Sequence, residues 1–245
     1  MPRSATSSTR AAARATDRVR KPAQLPLDLP ARSSLARDDL VTGPANALAA
    51  EAVDAWPHWP HPVVLISGPP GSGKTHLGAA WSELSGAQRW HPSRSELPGD
   101  PDLFAVLVED VDRSGYDEGG LFALLNAARL GGGTVLLTSR VGAGAITVAL
   151  ADLRSRLRAA TAVELRAPDE ELLTGVIMKL AADRQIAIDP KVVAYALSRM
   201  ERSFEAAADF VQRLDRAALA GKERIGRTLA QRILEDMAVE SNRAS

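Results

Sequence analysis

The sequence contains no cysteine. That excludes a disulfide framework and any cysteine-ligated metal, and it fits a reducing, cytosolic setting. Net charge is equally lacking, since 30 Lys and Arg balance 30 Asp and Glu. No global basic field therefore draws the chain onto nucleic acid. No apolar run reaches the ~18–20 residues that a membrane span needs, so no membrane partner is expected. A secretory signal is missing too. The stretch MPRSATSSTRAAARATDRVR at 1–20 is rich in Arg, Ser and Ala with Asp17 as its only acid, and no apolar segment follows it. It also lacks an apolar helical face, which makes a solvated tail the expectation rather than a transit peptide.

What is present is a chain of 245 residues, 45% hydrophobic and 24% charged, the composition of a soluble globular domain with a small appendage. The spacing of its apolar residues divides it into a tail over 1–37, an α/β region over 38–167, a helical region over 168–240 and a tail over 241–245. Within the first tail, QLPLDLP at 24–30 sets three leucines between prolines. So small an island cannot bury its leucines in a core of its own. The segment Pro44–Ala55 reads as a helix, and the proline-rich WPHWPHP after it as a stiff connector. His58 and His61 in that connector have no companions that would complete a metal site.

Short apolar runs then alternate with helical patterns. Strands are expected at Val63–Ser67, Phe104–Val108, Thr134–Thr138 and Thr161–Leu165, with a weaker one near Gln88–Trp90. Helices are expected at Lys74–Leu84 and Leu121–Leu130. This alternation predicts an α/β fold, a parallel sheet covered by helices on both faces. From Pro168 onward only helices follow. Asp169 caps one with Leu172, Leu173, Val176, Ile177 and Leu180 along a stripe, and Asp189-Pro190 opens another. A helix from Ser203 carries Phe204, Ala207, Phe210, Val211 and Leu214 and can close at Gly221, and a last one runs from about Arg227 to Met237.

The chemistry concentrates at Gly68–Thr75, GPPGSGKT, directly after a strand and before a helix. In a P-loop of this pattern, Gly68, Pro69, Pro70, Gly71, Ser72 and Gly73 wrap so that backbone N–H groups face phosphate. Lys74 reaches the β and γ oxygens, Thr75 ligates Mg²⁺, and His76 follows in the first turn, where the helix dipole favours an anion. ADP or ATP with Mg²⁺ is the expected cofactor. Glu109-Asp110 ends the strand at Phe104–Val108, where a P-loop enzyme holds Mg²⁺ and positions water. Glu109 is the expected metal ligand with Thr75, and Glu109 and Asp110 the expected catalytic acids. Ser139, after Thr138 at the end of the next strand, can orient the attacking water. Arg154, Arg156 and Arg158 cluster around DLRSRL at 152–157, which reads either as a solvated basic face or as a source of guanidinium for a γ-phosphate across a subunit boundary.

These residues together resemble the AAA+ ATPases, and within them the DnaA-related regulators of the Hda type. The resemblance runs from Gln24 to about Met237 and rests on five features. They are the loop Gly68–Thr75, the strand ending Glu109-Asp110, the strand ending LLTSR, and the segments DLRSRL and RMERSFEAA (Arg199–Ala207). It implies an AAA+ P-loop NTPase fold with a small all-helical lid, and nucleotide between the two. It further implies that Gln24, Leu25, Leu27 and Leu29 bind the sliding clamp, the β subunit of DNA polymerase III. Leu40, within Asp39–Asn46 (DLVTGPAN), would pack on adenine, and Arg156 would be an arginine finger offered in trans to DnaA. The family pattern places a sensor arginine early in the third lid helix, where Glu205 stands; Arg202, one turn earlier, is the residue that could replace it. An acid there favours ADP and a weak ATPase of its own. No counterpart of DnaA's DNA-binding domain follows the lid, so the expectation is a cytoplasmic, nucleoid-associated negative regulator of replication initiation rather than the initiator. It would meet DNA only through the clamp, and a homo-oligomer stays open. The competing expectations are a helicase-loader-like or transposition-type AAA+ ATPase and a nucleotide-gated clamp adaptor for another partner.

Overall fold

The computed structural model describes residue 37, residues 40–93, residue 97, and residues 104–113, 115–221 and 224–244. The expected clamp peptide, Gln24, Leu25, Leu27 and Leu29, lies outside the described residues, as does Asp39.

Five parallel strands form one sheet, β1 (Val63–Ser67), β2 (Gln88–Arg89), β3 (Phe104–Val108), β4 (Gly133–Ser139) and β5 (Thr161–Glu164), in the order β2-β3-β4-β1-β5. All five residues of β1 are buried, because the strand lies between β4 and β5 with both faces covered. Alternation along the strands sorts the side chains into two cores. Val63, Leu65, Val106, Val108, Val135 and Leu137 pack against α3 (Glu118–Ala127) and α4 (Ala151–Ala159). Val64, Ile66, Leu107 and Leu136 pack on the other face against α1 (Ala47–Asp54) and α2 (Lys74–Ser85), where Trp81 is fully buried. The connector WPHWPHP joins this second core: Trp59 stacks on Trp81 at 5.4 Å between ring centroids, and the Trp56 indole donates to Thr134 Oγ1 at 3.1 Å.

The helical region comprises α5 (Glu170–Asp183), α6 (Pro190–Leu197), α7 (Phe204–Gly221) and α8 (Arg227–Ala244) around Ile177, Val193, Phe210, Val211 and Ile233. The expected caps are in place. Asp169 Oδ1 accepts from the Leu172 amide at 2.8 Å, and Asp189 Oδ1 from the Lys191 amide at 2.8 Å.

Several boundaries differ from expectation, among them the start of α1, at Ala47 rather than Pro44. The α3 helix starts at Glu118 rather than Leu121, because Asp117 accepts from the Gly120 amide and so caps a start that the Gly-Gly pair conceals. It also ends sooner, at Ala127, and a wide turn over Ala128–Gly132 follows, in which Gly131 has φ 100. The α8 helix continues to Ala244, past Met237 and through most of the expected tail at 241–245, since nothing between them breaks a helix.

Phe210 is fully buried at the centre of the helical core. Phe210→Ala should lower unfolding free energy by about 3–5 kcal/mol, read by denaturant titration of helical circular dichroism.

Candidate functional site

The loop Gly68–Thr75 sits at the carboxyl end of β1, anchored where the Gly68 amide donates to the Ser139 carbonyl at 3.1 Å. Gly71 and Gly73 take φ of +71 and +94, a left-handed backbone that side chains rarely adopt. Lys74 folds back under the loop, donating to the carbonyls of Gly68 at 2.7 Å and Pro69 at 2.8 Å, and is only 7% exposed. Burial pushes its pKa down, opposed by the carboxylates of Asp110 and Asp112 and reinforced by Arg140. The Ser72 hydroxyl is buried with no hydrogen-bond partner among the described residues.

The first turn of α7 closes over this loop. The Phe204 amide donates to the Gly71 carbonyl at 3.1 Å. A Cβ on Gly71 would lie 2.4 Å from Ser203 Cβ, and one on Gly73 would lie 3.0 Å from the Phe204 ring. Between loop and helices is a cleft of about 520 Å³. Leu40, Val41, Val176 and Leu180 line its apolar part. Lys74, Thr75, Asp110, Arg113 and Arg140 line the part nearest the loop, and Glu205 faces it from α7.

Several expected residues meet here. Pro70, Gly71, Ser72, Gly73, Lys74, Thr75 and His76 all line the cleft, and Gly68 and Pro69 hold Lys74 from behind. Leu40 lines it too, on a strap fixed by Asn46, which accepts from the Gly43 amide at 2.8 Å and donates to the Val41 carbonyl at 2.9 Å.

Three residues expected at the nucleotide, Glu109, Ser139 and Arg202, lie outside the cleft, and Arg156, expected to act on a partner, lies on α4. Glu109 is not in the cleft: its carboxylate pairs with Arg89 of β2 at 2.7 Å, and its carbonyl accepts from the Tyr116 hydroxyl. The carboxylate that shares the cleft with Thr75 is Asp110, held in a left-handed backbone (φ 49) by its amide donating to Thr138 Oγ1 at 3.0 Å. Ser139 is fully buried, its hydroxyl donating to the Val141 carbonyl at 2.7 Å and accepting from the Val141 amide at 3.1 Å. Arg202 is exposed outside the cleft, 3.9 Å from Glu170. Arg156 lies in the last turn of α4, with Nη2 donating to Asn126 Oδ1 of α3 at 3.0 Å.

Sequence reasoning missed a charged cluster. Asp112, its side chain 6% exposed, accepts from the Arg140 amide at 3.0 Å and from Arg140 Nε at 2.8 Å. Arg140 and Arg113 therefore add two guanidiniums to the cleft. The available signal was the spacing Asp110, Asp112, Arg113 after β3 together with the Arg that ends LLTSR.

No protein-family model matches the sequence, and no curated protein sequence matches it. Solved structures do match in fold. Domain III of the replication initiation protein DnaA from Thermotoga maritima superposes with a TM-score of 0.69 at 17% identity, covering 82% of this chain and 96% of that one. The AMPPCP-bound DnaA from Aquifex aeolicus gives 0.62 at 20% identity, covering 81% and 69%. The RuvB Holliday junction branch migration motor from Thermotoga maritima gives 0.63 at 17% identity, covering 83% and 72%. The fold is that of the AAA+ P-loop NTPases: a five-stranded parallel sheet between helices.

Lys74 is a charge aimed at the loop and not a packing residue of either core. Lys74→Ala should abolish tight ADP binding in a titration with a fluorescent nucleotide while circular dichroism stays that of the parent. Retained affinity would remove the loop from the binding site.

Proposed function

We propose that this chain is a nucleotide-bound, Hda-type adaptor that docks on the DNA-loaded sliding clamp and stimulates ATP hydrolysis by DnaA, hydrolysing little itself. The observation that carries the reading is the pairing of a complete phosphate loop with an acid, Glu205, which lines the same cleft from the first turn of α7. The loop fits nucleotide phosphates by its own stereochemistry: positive-φ glycines, a buried Ser72 hydroxyl without a partner, and a Lys74 ammonium held by two loop carbonyls that phosphate oxygens can replace. The likeness in fold to a DnaA solved with AMPPCP supports an adenine nucleotide as the ligand, without deciding between two phosphates and three. Thr75 and Asp110 are the side chains that would hold Mg²⁺, which would supply charge neutralisation at the phosphates.

The equipment for turnover is weaker. Glu109 is committed to Arg89, Ser139 to Val141, and Glu205 lines the cleft with a negative charge that each further phosphate would oppose. ADP leaves that space to water. This arrangement disfavours the motor reading that the RuvB likeness would otherwise invite. In the adaptor reading, Gln24, Leu25, Leu27 and Leu29 lay an extended apolar peptide on the clamp. Arg156 then serves the ATP of DnaA, its planar fork spanning oxygens whose charge grows as the phosphoryl group leaves. No described helix is long and apolar enough to cross a membrane, and the proposed setting is the cytoplasm.

The test is hydrolysis of DnaA-bound ATP with and without this protein and clamp loaded on DNA. Stimulation should require the clamp and be lost when Gln24, Leu25 and Leu27 are changed to Ala. Arg156→Ala should remove it while keeping ADP and clamp binding, a loss of up to about 10³–10⁵ by analogy with trans-acting fingers. Arg156→Lys should restore little. Arg154→Ala and Arg158→Ala should stay near the parent; equal mild losses in all three would make Arg156 one member of a docking surface.

A further inference from the structure

The finger reading leaves the resting pose of Arg156 unexplained. Leu153 and Leu157 of α4 are fully buried, which fixes the rotation of the helix and turns Arg156 toward α3. There it meets two side chains one turn apart, Phe122 and Asn126, which i, i+4 spacing places on the same helical face. Its Cζ lies 5.9 Å from the centroid of the Phe122 ring, and its Nη2 donates to Asn126 Oδ1 at 3.0 Å. The Nε–H is buried with no hydrogen-bond partner among the described residues. No carboxylate pairs with this arginine among the described residues, and the side chain is half-buried. Its neighbour Arg154 behaves differently: it is exposed and donates to the Val148 carbonyl at 2.6 Å, tying down the start of its own helix.

A guanidinium with one neutral acceptor, a ring under its face and an unmet buried N–H is held incompletely. A carboxylate at position 126 would accept through two oxygens and grip the fork; an asparagine offers a single oxygen. The hold is thus strong enough to fix a pose and weak enough to break. We infer that α3 stows Arg156, with Phe122 as the platform and the Asn126 carbonyl as the catch, and that the arginine must leave this pose to reach a partner's nucleotide. This rests on the finger reading of Arg156 for its consequence, though not for the pose itself. Asn126 is a positioning residue, and it acts by setting how much of the protein has its finger free.

Two measurements on the full chain test the inference, and only one needs DnaA. The first is the rate at which 1,2-cyclohexanedione modifies Arg156, followed by mass spectrometry on the protein alone. Asn126→Ala should raise that rate by about two- to tenfold, the shift carried by one net hydrogen bond, and Asn126→Asp should lower it. The second is stimulation of DnaA-bound ATP hydrolysis. Asn126→Ala should lower the concentration for half-maximal stimulation by a similar factor with the maximum unchanged, whereas Asn126→Asp should raise it. Affinity for a fluorescent ADP derivative checks that both variants keep the fold. A merely structural role would weaken both variants in the same direction and leave the modification rate alone, which would overturn the inference. Equal modification rates in all three proteins would overturn it as well. If the parent modifies slowly and Asn126→Ala quickly, yet no protein stimulates DnaA, the stowed pose stands and the finger reading fails.

Discussion

The contact between the phosphate loop and the first turn of α7 organises the site. A backbone hydrogen bond from Phe204 to Gly71, with Ser203 and the Phe204 ring seated over Gly71 and Gly73, joins the sheet region to the helical region where phosphate would lie. No residue with a side chain fits at Gly71, since its Cβ would meet Ser203 Cβ at 2.4 Å on a backbone with φ +71. The glycines thus serve two ends at once: they let the loop wrap, and they let a helix approach it. Once that approach is made, the next residue of α7, Glu205, lies at the cleft wall. The acid is there because the helix start is there.

This geometry explains which parts of the site were legible in the sequence. The loop was, because its chemistry is carried by backbone conformation and by a contiguous run of eight residues, Gly68–Thr75. The central strands were, because a strand buried on both faces must be apolar throughout, as Val63–Ser67 is apart from its last residue. Where each polar side chain at a strand end would point was not legible. Glu109 and Asp110 are adjacent, yet the first leaves toward Arg89 and the second turns into the cleft through a left-handed backbone fixed by Thr138. Such choices depend on partners far away in sequence. Arg140 was overlooked for the same reason: only its bonds to Asp112, 28 residues earlier, aim it at the cleft. The helix start at Glu118 was hidden behind two glycines that a capping aspartate overrides.

The charges of the cleft fall into an asymmetric set. Lys74, Arg113 and Arg140 stand on the sheet side with Asp110, and Glu205 stands on the helical side with the Lys179–Asp183 pair of α5. In the proposed reading, the cations hold two phosphates and the acid Glu205 opposes a third. The proposed role for the nucleotide is that of a structural wedge between the two regions. Activity then has to come from what it presents to others, which is the role proposed for Arg156 and for the peptide at 24–29.

The central claim is that Glu205 makes the cleft a site for diphosphate. Equilibrium titration of the isolated protein with ADP and with a non-hydrolysable ATP analogue, in Mg²⁺, tests it directly when repeated on Glu205→Arg. The parent should favour ADP by roughly tenfold, the scale of one like-charge contact partly screened by water. The variant should lose or reverse that preference. Equal affinities in the parent, or a preference for ADP that survives in Glu205→Arg, would contradict the account.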